Sequence, residues 1–166
     1  MKIYGVTGWK NTGKTTLMER LVAEFVSRGL RVSTVKHAHH DTEIDHEGRD
    51  SYRHRIAGAR EVVLSSPRRW AVMHELRDAP EPPLADLLTK LSPVDLVLIE
   101  GYKRSDHPKI EAYRLAAGRD LLARRNASIR AVATDTAIDD IDLPQLDLNN
   151  TRAIADFILA DLGMQA

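Results

Sequence analysis

Apolar residues along this chain follow two different spacings. Lys2-Ile3-Tyr4-Gly5-Val6-Thr7 and residues 31–36 read as short strands. Residues 94–101 form a nearly continuous apolar run, as expected of a strand buried on both faces. Residues 110–113 and 129–133 are weaker strand candidates. Between the first two strands, Leu17, Met18, Leu21, Val22, Phe25 and Val26 recur at helical spacing, with Glu19, Arg20, Glu24 and Arg28 opposite them. Arg28-Gly29 supplies a stop. Near the C-terminus, Asn150 reads as a cap, and Ile154, Phe157, Ile158 and Leu162 share one helical face.

The middle of the chain is less regular. A polar stretch over residues 37–50 predicts a long functional loop, and Asp50-Ser51 predicts the start of a short helix that Gly58 ends. Two strand-like runs, Glu61–Ser65 and Trp70–His74, flank the turn Ser66-Pro67-Arg68-Arg69 and predict a hairpin. After the proline-rich break at residues 79–83, Leu84, Leu87, Leu88 and Leu91 mark a further helix. Alternating strands and helices predict an α/β fold with a mostly parallel sheet covered by helices, to which the hairpin near residues 60–76 is added. The 166 residues suit one domain spanning 1–166.

The chemistry begins between the first strand and the first helix. Gly8-Trp9-Lys10-Asn11-Thr12-Gly13-Lys14-Thr15 fits G-x-x-x-x-G-K-[ST], a phosphate-binding loop, and the flanking strand and helix are the context that motif needs. Glycines let the backbone N–H groups surround phosphates at a helix N-terminus. Lys14 is expected to reach the β- and γ-phosphates, and Thr15 to offer its hydroxyl to Mg²⁺. A triphosphate also calls for a carboxylate to help hold the metal, and Glu100, ending the apolar strand and followed by Gly101, is the candidate. Asp95 opens that strand and belongs at the opposite edge.

The loop over residues 37–51 admits several readings. His37, His39, His40 and His46 suggest a transition-metal site, although their spacing matches no zinc pattern. Alternatively the loop is a nucleotide-sensing switch that brings Asp45 or Asp50 near Mg²⁺. A third reading is a solvated loop with Asp50 as a helix cap. Composition narrows the rest. Twenty-four basic and 24 acidic residues cancel, which leaves no general attraction to nucleic acid or membrane. The absence of cysteine excludes disulfides, thiolate metal sites and cysteine nucleophiles, and fits a cytoplasmic location. The first strand begins at once, leaving no room for a signal peptide, and no apolar run reaches membrane-spanning length.

Taken together, residues 8–17, Val35-Lys36-His37, residues 45–51, residues 95–103, Pro108-Lys109-Ile110-Glu111 and Ala133-Thr134-Asp135 resemble the molybdopterin-guanine dinucleotide biosynthesis adapter proteins. The resemblance runs from Met1 to about residue 162. It implies a P-loop fold that binds GTP with Mg²⁺, weak GTPase activity and a homodimer. It also implies partnership with the guanylyltransferase that attaches GMP to molybdopterin, with molybdopterin or its guanine dinucleotide as further ligand. Carried over, phosphate binding falls on Gly8, Lys10, Asn11, Thr12, Gly13, Lys14, Thr15 and Thr16, metal binding on Thr15 and Glu100 with Asp45 and Asp50, and catalysis on Lys14 and Glu100. Lys10 stands one place later than the lysine that related dimeric switches use across the dimer.

Guanine preference is not written in an N/T-K-x-D signature: Thr89-Lys90-Leu91-Ser92 lacks the aspartate. Asp135, after a late strand, suits guanine's N1–H and N2–H₂ donors, and a turn or helix cap suits it equally. The alternative function is a small-molecule kinase or ligase using the same loop, with Arg49, Arg53, Lys103 and Arg104 holding an anionic acceptor. A partner-binding module with a degenerate loop is disfavoured, because Lys14 and Thr15 are both intact.

Overall fold

The computed structural model describes residues 1–38 and 44–165. The chain divides into two compact units, residues 1–38 with 92–166 and residues 39–91.

The larger unit is built on a six-stranded sheet of β1 (Lys2–Thr7), β2 (Val32–Lys36), β5 (Leu96–Glu100), β6 (Lys109–Tyr113), β7 (Ile129–Thr134) and β8 (Gln145–Asp147). Its order is β2-β5-β1-β6-β7-β8, and every neighbouring pair is parallel. A parallel sheet aims all its strand ends one way, so the loops after β2, β5, β1, β6 and β7 share one edge. That edge carries the phosphate loop. The α/β class and the P-loop topology expected from the sequence are both present.

All five residues of β5 are buried, which explains its unbroken apolar sequence. Tyr4, Val6, Leu96, Leu98, Ile110, Ala112, Ala131 and Ala133 face a core completed by the helices α1 (Lys14–Ser27) and α4 (Thr151–Asp161). Leu17, Met18, Leu21 and Phe25 supply the buried stripe of α1; Val22 packs at its margin, and Val26 falls outside it, on the solvent side. Helix α4 buries Ile154, Ala155, Ile158 and Leu159, with Phe157 and Leu162 packed alongside. Asn150 caps it as expected, its side-chain oxygen accepting from the Ala153 N–H at 3.1 Å. Arg28 clamps α1 to α4, reaching Glu24 at 2.7 Å and Asp156 at 2.6 Å.

The smaller unit contains α2 (Asp50–Ile56), the antiparallel hairpin β3 (Glu61–Ser65) and β4 (Trp70–His74), and α3 (Leu84–Leu88). The hairpin falls where the sequence placed it. Helix α3 stops at Leu88, one turn earlier than the leucine spacing predicts, so Thr89 is its C-cap and Thr89-Lys90 does not lie on a helix. Asp50 is the first helical residue of α2, and the N-cap position belongs to Arg49. The three-residue strand β8 has no counterpart in the sequence reading: Gln145-Leu146-Asp147 is too short to show a period.

Candidate nucleotide site at the carboxyl edge of the sheet

Residues 8–13 turn sharply between β1 and α1. Gly8 takes φ 139°, and a Cβ there would lie 2.4 Å from the Ala112 carbonyl oxygen, so no other residue fits without moving β6. Asn11 and Gly13 are also left-handed, at φ 66° and 88°. Two side chains of the loop fold back on one backbone oxygen: the Thr12 hydroxyl donates to the Trp9 carbonyl at 2.9 Å, and the Lys14 ammonium donates to the same carbonyl. Lys14 is therefore held within the loop. Partial burial lowers its pKa, the Lys103 ammonium lowers it further, Glu100 opposes, and Lys36 adds to the lowering. A polyanion would relieve this cation crowding.

Glu100, the last residue of β5, is buried to 9% exposure beside the loop. The Thr15 hydroxyl donates to its Oε1 at 3.1 Å, and the Lys36 ammonium lies 3.9 Å from its Oε2. A hydroxyl and a carboxylate that converge in this way are the hard oxygen donors Mg²⁺ prefers, so the residues present fit the ion. Next to Glu100, Gly101 takes φ 95° with its α-carbon against His37, where a Cβ would meet the His37 Cβ at 3.0 Å. The His37 N–H donates to the Glu100 carbonyl at 2.9 Å, and its ring stacks on Tyr102 with centroids 4.6 Å apart. His37 is thus built into the strand edge; His39 and His40 lie outside the described residues. Among the described residues no group of three or more metal-capable side chains comes together.

Other expected residues fall as follows. Lys10, Asn11, Thr15 and Thr16 are exposed around the loop, while Thr12 is buried. Asp135 follows β7 at the same edge, where Arg114 donates to its Oδ2 at 3.1 Å. Asp45 and Asp50 belong to the smaller unit. There, Asp45 Oδ1 accepts from the Ser51 hydroxyl and the His46 N–H, each at 3.0 Å, and Asp50 lies 3.7 Å from Arg53.

Two features were not read from the sequence. The Trp9 indole N–H donates to the Asp120 carbonyl at 2.7 Å, and the Lys103 ammonium stands 4.3 Å from the centre of its ring. Arg114, directly after β6, lays its guanidinium against Gly13. The signal for Arg114 was topological: it follows a strand candidate, and strand ends in this architecture converge on the ligand.

The family model described as "Molybdopterin guanine dinucleotide synthesis protein B" matches residues 3–135, a span that takes in the loop, Glu100 and Asp135. The chain belongs to this family. A molybdopterin-guanine dinucleotide biosynthesis adapter protein of Haemophilus influenzae is 40% identical to it, over 94% of this chain and 86% of that one. Its counterpart in Escherichia coli is 38% identical, over 91% and 87%. A family member solved from Bacillus stearothermophilus, a MobB protein homolog, superposes with a TM-score of 0.73 at 28% identity, covering 98% of this chain and 99% of that one. Bacillus subtilis MobB, 24% identical with 98% of each chain covered, shares the fold at a TM-score of 0.77.

Proposed function

We propose that this chain is a GTP-binding adapter in the assembly of molybdopterin guanine dinucleotide, with slow Mg²⁺-dependent GTP hydrolysis. It acts with the guanylyltransferase, takes molybdopterin or its guanine dinucleotide as further ligand, and works as a cytoplasmic homodimer. The observation that carries the nucleotide reading is the Thr15–Glu100 pair at 3.1 Å, beside a loop whose Lys14 is already turned inward. The adapter role is supported by the names of relatives that align over nearly the whole chain.

In this reading the backbone N–H groups of residues 8–15 surround the phosphates, and Lys14 leaves the Trp9 carbonyl for the β- and γ-phosphates. Thr15 and Glu100 would hold Mg²⁺, whose contribution is to neutralise charge on the phosphates. Lys14 and the loop amides stabilise charge on the transferring group. Glu100 is committed to Thr15, which leaves the positioning of water weakly served and supports slow turnover. Asp135 is the base-side acceptor. The homodimer is supported by the resemblance and by apolar side chains that the hairpin exposes: Val63, Leu64, Trp70 and Val72.

Calorimetric titration with GTP, ATP and molybdopterin guanine dinucleotide, each with and without Mg²⁺, tests this reading. GTP binding tightened by Mg²⁺ is expected. Tight ATP binding without GTP binding would overturn it.

A further inference from the structure

Arg114 stands between two parts of the candidate site. Its backbone leaves β6 beside β1, and its side chain runs across the flank of the phosphate loop. An ideal Cβ on Gly13 would lie 3.4 Å from the Arg114 Nε and 3.7 Å from its Nη2. The same guanidinium donates through Nη1 to Asp135 Oδ2 at 3.1 Å, with both side chains about two-thirds shielded from solvent. One cation therefore touches the loop that would hold phosphate and occupies the carboxylate assigned above to the base.

These two duties conflict when a nucleotide arrives. Guanine offers N1–H and N2–H₂, which together need both oxygens of a carboxylate. Adenine can donate one N–H from its amino group, but its N1 lone pair would face the second carboxylate oxygen, so it gains one neutral contact against a repulsion. Guanine competes with Arg114 for Asp135. Adenine competes poorly.

We propose that Arg114 couples base identity to phosphate grip: guanine takes Asp135, and the displaced guanidinium moves onto the nucleotide phosphates beside Gly13. An arginine fork serves either anion, since both carboxylate and phosphate accept its paired N–H groups. The hand-over replaces one charge-assisted contact by two, base to carboxylate and guanidinium to phosphate. Specificity for guanine thereby includes a phosphate contact that ATP does not gain. Arg114 is a positioning and specificity residue, and the proposal rests on the reading of Asp135 as the base acceptor.

The test compares guanosine with GTP in the full chain, both competing with a fluorescent GTP analogue. In Arg114→Ala, guanosine no longer has to displace a cation, so its affinity should rise severalfold. GTP gains the same relief but loses the larger phosphate contact, so its affinity should fall by a net factor of roughly ten. ATP should change least. Arg114→Lys, which keeps the charge without the fork, should fall between. An ion pair that only holds β6 against β7 would weaken guanosine and GTP together, and that result, or no change in guanosine, overturns the hand-over. Asp135→Asn separates the underlying reading: it should move preference from GTP to xanthosine triphosphate, whose C2 carbonyl suits the amide. An unchanged preference would reject Asp135 as the base acceptor, whatever Arg114 does.

Discussion

The Thr15 hydroxyl donates to the Glu100 carboxylate at 3.1 Å, joining the first turn of α1 to the end of β5. The register makes this contact possible: Val6 on β1 pairs with Glu100 on β5, so the loop leaving β1 starts level with the carboxylate. Both side chains then face the volume in which a phosphate-bound ion would sit.

Glu100→Gln removes the charge and keeps the shape. Mg²⁺ should no longer tighten GTP binding, and hydrolysis should drop by about 10–100-fold, as expected for loss of one charged ligand. Without Mg²⁺ the variant should bind GTP at least as well as the parent, because a repelling carboxylate is gone. Calorimetry with and without the ion distinguishes the two conditions; an undiminished Mg²⁺ effect would remove Glu100 from the metal site.

Lys14→Ala should cost about 100-fold in GTP affinity, since a charge-assisted contact to the phosphates disappears with nothing to replace it. The fold should survive, because the ammonium's hydrogen bond among the described residues goes to the loop's own Trp9 carbonyl. Unchanged affinity, measured by titration of a folded variant, would mean that the loop does not hold phosphate.

Gly8→Ala should destabilise the protein by about 2–4 kcal/mol through strain and overlap combined. The new methyl would meet the Ala112 carbonyl oxygen at 2.4 Å and the Thr12 hydroxyl at 2.8 Å, at a φ of 139°. Urea unfolding checks this. Gly29→Ala is the control: its φ of 84° is also positive, but a Cβ there meets nothing within 4 Å, so its loss should be smaller.

A buried basic pair at the start of β6, beside Gly5 of β1, should make stability depend on pH at both ends. His107 packs over Gly5, where a Cβ would come within 2.6 Å of its Nε2, and burial, reinforced by Lys109, holds its pKa down to about 4. Lys109 is fully buried, with its ammonium on the His107 carbonyl at 2.9 Å and the Ser128 hydroxyl at 2.8 Å, and burial lowers its pKa to about 8. For each group the unfolded chain binds protons more readily, starting from ordinary values of 6.5 and 10.5. Stability should therefore fall as pH drops from 6.5 toward 4, and rise as pH climbs from 8 toward 10.5. His107→Gln should flatten the acid limb alone and Lys109→Met the alkaline limb alone, read from urea midpoints across pH.

The strand, loop and helix that carry the phosphate-loop motif were legible because the signal is local: glycines at fixed offsets, a lysine and a threonine, and a strand and helix whose apolar spacing continues on either side. The position of Glu100 at a strand end was legible for a related reason, since an unbroken apolar run can only be a buried strand, and parallel strands end on one edge. The hairpin was marked by its proline turn. What failed were lengths and caps. The leucines of 84–91 keep helical spacing past the point where α3 stops, and Asp50 entered α2 instead of capping it. Terminal turns are settled by balances of a few tenths of a kcal/mol that a residue pattern does not record.

The sequence by itself determined the loop motif from Gly8 to Thr15 with its flanking strand and helix, and which runs become sheet and helix, because those properties depend on neighbours a few residues apart. Only the tertiary structure decided which distant groups the loop meets. It set Thr15 on Glu100, Lys103 over Trp9, and Arg114 between Gly13 and Asp135. It also placed His107 and Lys109 in the interior, against the ordinary preference of both residue types for water. Those pairings follow from strand order and register, which bring residues up to about a hundred positions apart within a few ångströms, and no spacing along the chain encodes them.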